Sequence, residues 1–216
     1  MRYISATQIF SGKEFFDKNT VLVIDDTKTI TDIISGDSIE PSKIETYEGI
    51  ITPGFVNAHC HLELSHLKGL IPEKTGLVDF VFKIITERHF AAEVILTAIE
   101  TAENEMLRNG IVAVGDICNS SSTIAQKSKQ RLHYHNFIEV AGFVPAGANS
   151  RFATAIEIQK QFQSTMDHQL STVSPHAPYS VSPELFKLID DLPDNNLITI
   201  HNQESAVEDE FFKSHL

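Results

Sequence analysis

Cysteine, positive charge and long apolar runs are all scarce in this sequence, and each scarcity removes a class of protein. Only Cys60 and Cys118 occur among 216 residues, too few for a disulfide framework. No apolar run approaches the roughly 20 residues that span a bilayer. Met1-Arg2-Tyr3-Ile4-Ser5 has neither the apolar core nor the small-residue cleavage site of a secretory leader. A protein of a reducing compartment, cytoplasmic and without a membrane partner, is expected. Lysine and arginine number 17 against 29 aspartates and glutamates, for a formal charge of −12. A surface of that sign repels phosphate backbones, so no nucleic-acid polymer is expected as a partner, while a nucleoside-sized ligand in a pocket is allowed. Three motifs are missing as well: Gly-x-Gly-x-x-Gly after a strand, His-Glu-x-x-His, and His-x-Glu…Pro-Cys-x-x-Cys.

Hydrophobic residues make up 42% of the chain, which suits a globular protein. Residues 1–50 read as short strands and turns. Tyr3–Phe10 and Glu14–Phe16 flank the turn Ser11-Gly12-Lys13, Thr20–Ile24 is β-branched, and Thr29–Ile34 is closed by Ser35-Gly36-Asp37. A small N-terminal β-unit is therefore expected. From residue 51 to 216 the pattern changes to apolar strand-like runs alternating with helical stretches. The runs are Ile51–His61, Ile111–Ile117, His135–Gly142, Thr172–His176 and Leu197–His201. Leu77–His89 and Ala91–Asn109 read as helices, the second stopped by Asn109-Gly110. Pro183–Asp190 reads as another, with Ser182 as its N-cap.

Strands alternating with helices imply an α/β fold with a parallel sheet, closed either as an open doubly wound sheet or as a (β/α) TIM barrel. In barrels the chemistry lies at the C-terminal ends of the strands. His59, His61, Asp116, Glu139, His176 and His201 all fall there, which favours the barrel. A whole barrel has eight strands and about 250 residues, while about 165 residues and at most five strand–helix repeats follow the β-unit here. An incomplete barrel, the front portion of a longer enzyme, is the expectation.

His59-Cys60-His61 carries the sharpest chemistry. In a strand, residues i and i+2 share a face, so both imidazoles can grip one divalent ion while Cys60 points away. The bland alternative is two unrelated histidines near a loop. Glu204 by itself could be a helix-start carboxylate favoured by the dipole, and His176, before Ala177-Pro178, could simply end a strand.

Pro53-Gly54-Phe55-Val56-Asn57-Ala58-His59-Cys60-His61-Leu62 resembles the first-strand signature of the amidohydrolase superfamily. Gly110-Ile111-Val112-Ala113-Val114-Gly115-Asp116 is similar to its second strand. Ser174-Pro175-His176-Ala177-Pro178-Tyr179-Ser180-Val181-Ser182 and Ile198-Thr199-Ile200-His201-Asn202-Gln203-Glu204-Ser205 resemble the fourth and fifth strands of its aminohydrolase and chlorohydrolase branch. The resemblance implies a metal-dependent hydrolase, foremost a hydrolytic deaminase of an amino-substituted heterocycle or nucleoside. A chlorohydrolase or cyclic amide hydrolase of the same superfamily is the alternative. It further implies His59, His61 and His201 as ligands of one divalent metal ion (zinc first, iron second), Glu204 as the catalytic proton shuttle, and His176 and Glu63 as substrate-binding residues. A homodimer would match the branch. The family's further histidine after the sixth strand and aspartate after the eighth have no counterpart here. Weakened metal binding and no meaningful catalysis are therefore expected of this chain alone, and a non-catalytic fragment or binding module with a partial metal site is the competing reading. His133 and His135 are expected to be surface or packing residues. His66, His89, His168 and His215 are expected to lack partners, and both cysteines to be buried thiols.

Overall fold

The β-branched runs of residues 1–50 pair as their turns direct. In the computed structural model, which describes residues 1–166 and 169–214, the chain divides into two compact units, Met1–Gly54 and Phe55–Leu216. The first is a four-stranded sheet of β1 (Arg2–Ile9), β2 (Thr20–Ile24), β3 (Ile30–Ser35) and β4 (Ile44–Ile51), in the order β3-β2-β1-β4. β2 runs antiparallel to both β1 and β3, and β4 lies parallel to β1. The β2–β3 hairpin turns on Asp25, whose Oδ1 accepts the Thr27 and Thr29 amides at 2.9 Å, an Asx turn that leaves Lys28 at φ 66°. Ala6, Ile9 and Leu22 form the core with Phe16 and Ile51.

One expectation needs correction here, and one strand was not foreseen. Glu14–Phe16 does not form a strand; Ser11 Oγ accepts the Glu14 amide at 3.0 Å and tightens the turn, so a single Phe10–Phe15 bridge is made. β4 escaped notice because Glu45, Thr46, Tyr47 and Glu48 are exposed, and no apolar alternation marks it.

The second unit is a parallel sheet of β5 (Phe55–Cys60), β6 (Ile111–Cys118), β7 (His133–Val140) and β8 (Leu170–Pro175), paired in sequence order. Its helices are α1 (Leu77–Glu87), α2 (Ala92–Arg108), α3 (Ile124–Lys127), α4 (Ala148–Thr165), α5 (Pro183–Asp190) and α6 (Ala206–Ser214). α2 stops at Asn109-Gly110 as read from the sequence, with Gly110 at φ 75°. Ser182 caps α5 by accepting the Leu185 amide at 3.2 Å. α4 and α5 cover β7 and β8 through Ala155, Phe162, Leu185 and Ile189, packed on Ile138, Val140 and Val173. α2 covers β6 through Ile99 and Met106, packed with Leu62, Val114 and Tyr134. Among the described residues no helix is long and apolar enough to cross a membrane.

The fifth strand is the main departure. Leu197–His201 runs beside β8 but forms no ladder. Asn195 takes both backbone groups of Val173 with its side chain, at 2.8 and 2.9 Å, and the Thr199 amide bonds Ser174 Oγ at 3.2 Å. Only the His201 amide, donating to His176 O at 2.8 Å, makes a strand-like bond to the β8 side. Side chains have occupied the groups a ladder would use, and no strand lies on the far side of the run among the described residues.

Candidate metal centre

β5 ends at Cys60, so His59 is the penultimate residue of its strand and His61 the first residue beyond it. His176 follows β8 directly, and His201 is held beside it by the bond to His176 O. Parallel pairing in register carries all four to one end of the sheet. Ring centroids of His59 and His61 are 5.1 Å apart, those of His59 and His201 4.7 Å, and those of His61 and His201 5.2 Å. One ring nitrogen from each of the three lies within 4.8 Å of the others. A second set within the same limit joins Glu139, His176 and His201.

Charge is distributed unevenly over this group. Burial pushes the His61 imidazole down to about 4, with Glu139 opposing and His201 and His59 adding to the fall. Burial, and then His201, lower His59 as well. His201 goes the other way: its hydrogen bond to Glu139 raises it, against burial. Its Nε2 lies 3.3 Å from Glu139 Oε1 and its Nδ1 3.5 Å from Glu204 Oε1. Burial works against the Glu139 charge, but His201, His176, Asn119 and His61 outweigh it and hold the carboxyl below its ordinary value. Neutral imidazoles at His59 and His61 are in the form that ligates a metal ion. The donor set, three nitrogens at this separation, therefore fits one divalent cation.

Glu204 accepts a hydrogen bond from Tyr179 Oη at 3.3 Å. The helix-start role falls instead to Glu208, which accepts the Gln203 and Glu204 amides at 3.2 and 2.7 Å, while Ser205 Oγ accepts the Glu208 amide at 3.2 Å. That frees Glu204 to face His201. His176 Nδ1 hydrogen-bonds Ser180 Oγ at 2.7 Å, and its ring meets Tyr179 edge-on at 5.9 Å. Over these groups lies a cavity of about 740 Å³. Leu77, Phe80, Val81, Ile84 and Ile85 of α1 make its apolar wall, and Arg88 and Arg151 bring positive charge.

Glu63 is not gathered into that cavity. It is 3% exposed, accepts from the Ser120 amide and hydroxyl at 3.0 and 2.7 Å, and pairs with Arg88 at 3.3 Å. It lines a neighbouring cavity of about 550 Å³. His66, expected to lack a partner, hydrogen-bonds Arg88 O through Nε2 at 3.0 Å and packs on Phe90. His133 is exposed and His135 hydrogen-bonds Thr172 Oγ1 at 2.9 Å. His168 and His215 lie outside the described residues.

Sequence reading put Glu139 at the chemical end of its strand and Asn119 on a loop at the pocket rim but gave neither a place among the histidines; Asn119 donates to Glu139 Oε2 at 2.9 Å. The usable signal was position. Glu139 is the penultimate residue of β7, and Asn119 follows β6 directly.

Residues 50–210 match the family model described as the amidohydrolase family, and the chain belongs to that family. A 5-methylthioadenosine/S-adenosylhomocysteine deaminase of Natronomonas pharaonis is 25% identical over 193 residues, covering 84% of this chain and 44% of the relative. Among solved structures, the aminofutalosine deaminase of Helicobacter pylori, in complex with methylthio-coformycin, superposes with a TM-score of 0.76 at 23% identity. That match covers 98% of this chain and 53% of the other. An adenosine deaminase of Xanthomonas campestris with bound zinc gives 0.72 at 19%, covering 99% and 52%. The last two establish a shared fold. The chain spans about half the length of the curated relatives it matches.

Proposed function

We propose that this chain carries the three-histidine part of a divalent-metal-dependent hydrolase, and that the reaction is hydrolytic deamination of an adenosine-like amino heterocycle. The observation that carries this reading is the convergence of His59, His61 and His201, with Glu204 3.5 Å from His201. Zinc is the ion proposed first, as in the adenosine deaminase of similar fold. When bound, such an ion acts as a Lewis acid and lowers the pKa of its water towards neutrality.

The chain's own residues supply the rest. Glu204, held by Tyr179 and beside His201, is proposed to carry one proton from the attacking water to the ring nitrogen and a second, from the hydroxyl so formed, to the departing amine. The C–N bond broken releases ammonia, and the new C–O bond leaves a carbonyl on the ring. His176, oriented by Ser180, is proposed to hydrogen-bond the developing oxyanion or a ring substituent of the substrate. The apolar wall of α1 suits the face of a heterocycle and keeps water from its other side.

A small-molecule substrate accords with the cavity, and the −12 charge argues against a nucleic-acid polymer. We also propose domains spanning 1–50 and 51–216, a cytoplasmic setting in keeping with two free thiols, and a homodimer. Exposed Val78 and Phe82 of α1 and Phe211 of α6 offer apolar surface for the last.

The test is elemental analysis of the chain and of its His201→Ala variant, with ammonia release followed on a panel of aminopurines and aminonucleosides. The reading expects metal retained, though below one equivalent, in the first and at least about 100-fold weaker retention in the second. Equal metal content in both would refute the ligand set. Ammonia from any aminonucleoside would establish the reaction; metal without turnover, in this chain and in one extended to the relatives' length, would leave a metal-binding module.

A further inference from the structure

Lys127 and Asp116 are both fully buried and form an ion pair. Burying such a pair brings little net stability, since a well-packed apolar pair commonly does as well or better. Stability therefore does not explain its presence, and its connections point elsewhere. The Lys127 ammonium has three donors, and three acceptors surround it: Asp116 Oδ2, Asn136 Oδ1 at 2.7 Å and Cys118 Sγ at 3.3 Å. Thus α3 is tied to β6 and β7, and Asp116 is held in one orientation. The other carboxylate oxygen of Asp116, Oδ1, accepts the Leu62 amide at 2.8 Å.

That amide sits where the first histidine pair is aimed. Cys60 pairs opposite Asp116 in the ladder. At His61 the chain leaves the strand with φ −116° and ψ 71°, neither strand nor helix, and Leu62 opens a short 3-10 helix, Leu62–Leu67. The first amides of a helix have no partner within it, and this start has no side-chain cap from His61. Asp116 supplies the missing acceptor from the neighbouring strand. One residue earlier stands the His61 imidazole.

We propose that Asp116, locked by Lys127, is a positioning residue for the metal ligand His61: it fixes the turn at residues 61–62 through the Leu62 amide. This rests on the proposed metal reading only for its functional consequence. The geometry it asserts exists in the metal-free chain.

Two charge-neutral double variants separate positioning from packing. Asp116→Asn with Lys127→Met keeps a carbonyl oxygen for the Leu62 amide, whereas Asp116→Leu with Lys127→Met keeps the branched skeleton and loses the acceptor. In metal-free protein with 15N-labelled histidine, the first should retain the wild-type His61 ring resonances and the second should shift them. With Co(II) added, the second should bind about 10-fold more weakly and show altered visible bands, and the first should match the wild type. Matching His61 resonances in both variants would overturn the proposal. If the wild type binds no Co(II), the metal reading fails while the ring resonances still decide the positioning. Should the leucine variant not fold, hydrogen exchange in the wild type decides: the Leu62 amide should be among the slowly exchanging ones, and fast exchange would refute the bond.

Discussion

Gly115 lies inside β6, where a glycine weakens a strand unless another backbone must come close. Here it does. A Cβ built on Gly115 would stand 2.6 Å from Ala58 O, 3.2 Å from Ala58 C and 3.0 Å from Phe137 Cε2. An ordinary C···O approach is about 3.3 Å or more, so Gly115→Ala requires Ala58 and its strand to retreat by roughly 0.7 Å. The obstacle on that side is backbone, which cannot swing aside as a side chain can. Overpacking of this kind costs about 1–3 kcal/mol, and we expect about 2 kcal/mol from urea unfolding followed by circular dichroism. Ala58 is also the residue before His59, and sites of this kind tolerate only about 0.5 Å of displacement. Metal retention by Gly115→Ala should therefore fall by about 10-fold or more, beyond what reduced stability explains, when measured well below the unfolding midpoint. A stability within about 0.5 kcal/mol of wild type, together with unchanged metal affinity, would refute the claim that the β5–β6 approach at this glycine places His59.

Four other predictions concern the core, a helix cap and the thiols. Phe162→Ala removes a fully buried ring from the α4 packing and should cost about 3–5 kcal/mol; a loss under about 1 kcal/mol would mean that α4 does not carry this core. Ser182→Ala removes the cap of α5 and should cost about 1 kcal/mol in the same unfolding experiment, with no loss expected if water replaces the hydroxyl fully. Burial raises the Cys60 thiol from 9.0 to about 12 and Cys118 well above 9.0, while burial lowers Lys127 but Asp116 and Cys118 together outweigh it and raise it above 10.5. In each case the unfolded chain releases its proton first, so stability should fall as pH rises from about 9 through 12. Urea midpoints at pH 8, 10 and 11 check the sign, and a flat profile would contradict it. At pH 8 neither thiol should react readily with a disulfide reagent until the chain is unfolded.

Much of the second unit was legible because the signals there are local and redundant. Ser182-Pro183 announces α5 by cap and N1 proline together, and Asn109-Gly110 ends α2. The four ordered motifs pointed to His59, His61, His176 and His201, which the fold brings to one end of the sheet. What escaped was settled by partners distant in sequence. Leu197–His201 has the composition of a strand, but Asn195 and Ser174 fill the bonds a ladder needs. Glu63 was expected to bind substrate; Ser120 and Arg88, 57 and 25 residues away, hold it in a cavity that adjoins the one over the histidines. Lys127 drew no notice in the sequence; only the fold sets Asp116 and Asn136 against it.

The placement of His201 has a consequence for folding. His59 and His61 stay neighbours in any conformation, but His201 is about 140 residues further along, on a run without a ladder of its own. Bringing such distant points together in a disordered chain costs about (3/2)RT ln n, or about 4 kcal/mol of chain entropy. In the folded unit the parallel sheet has already closed that loop. An ion gripping all three imidazoles would then discriminate between folded and disordered chains by a factor on the order of a thousand, from this cause alone. The ion would behave as a removable crosslink across the sheet, and the same chelator titration that reports its affinity would also report how firmly the first and last runs of the barrel are held together.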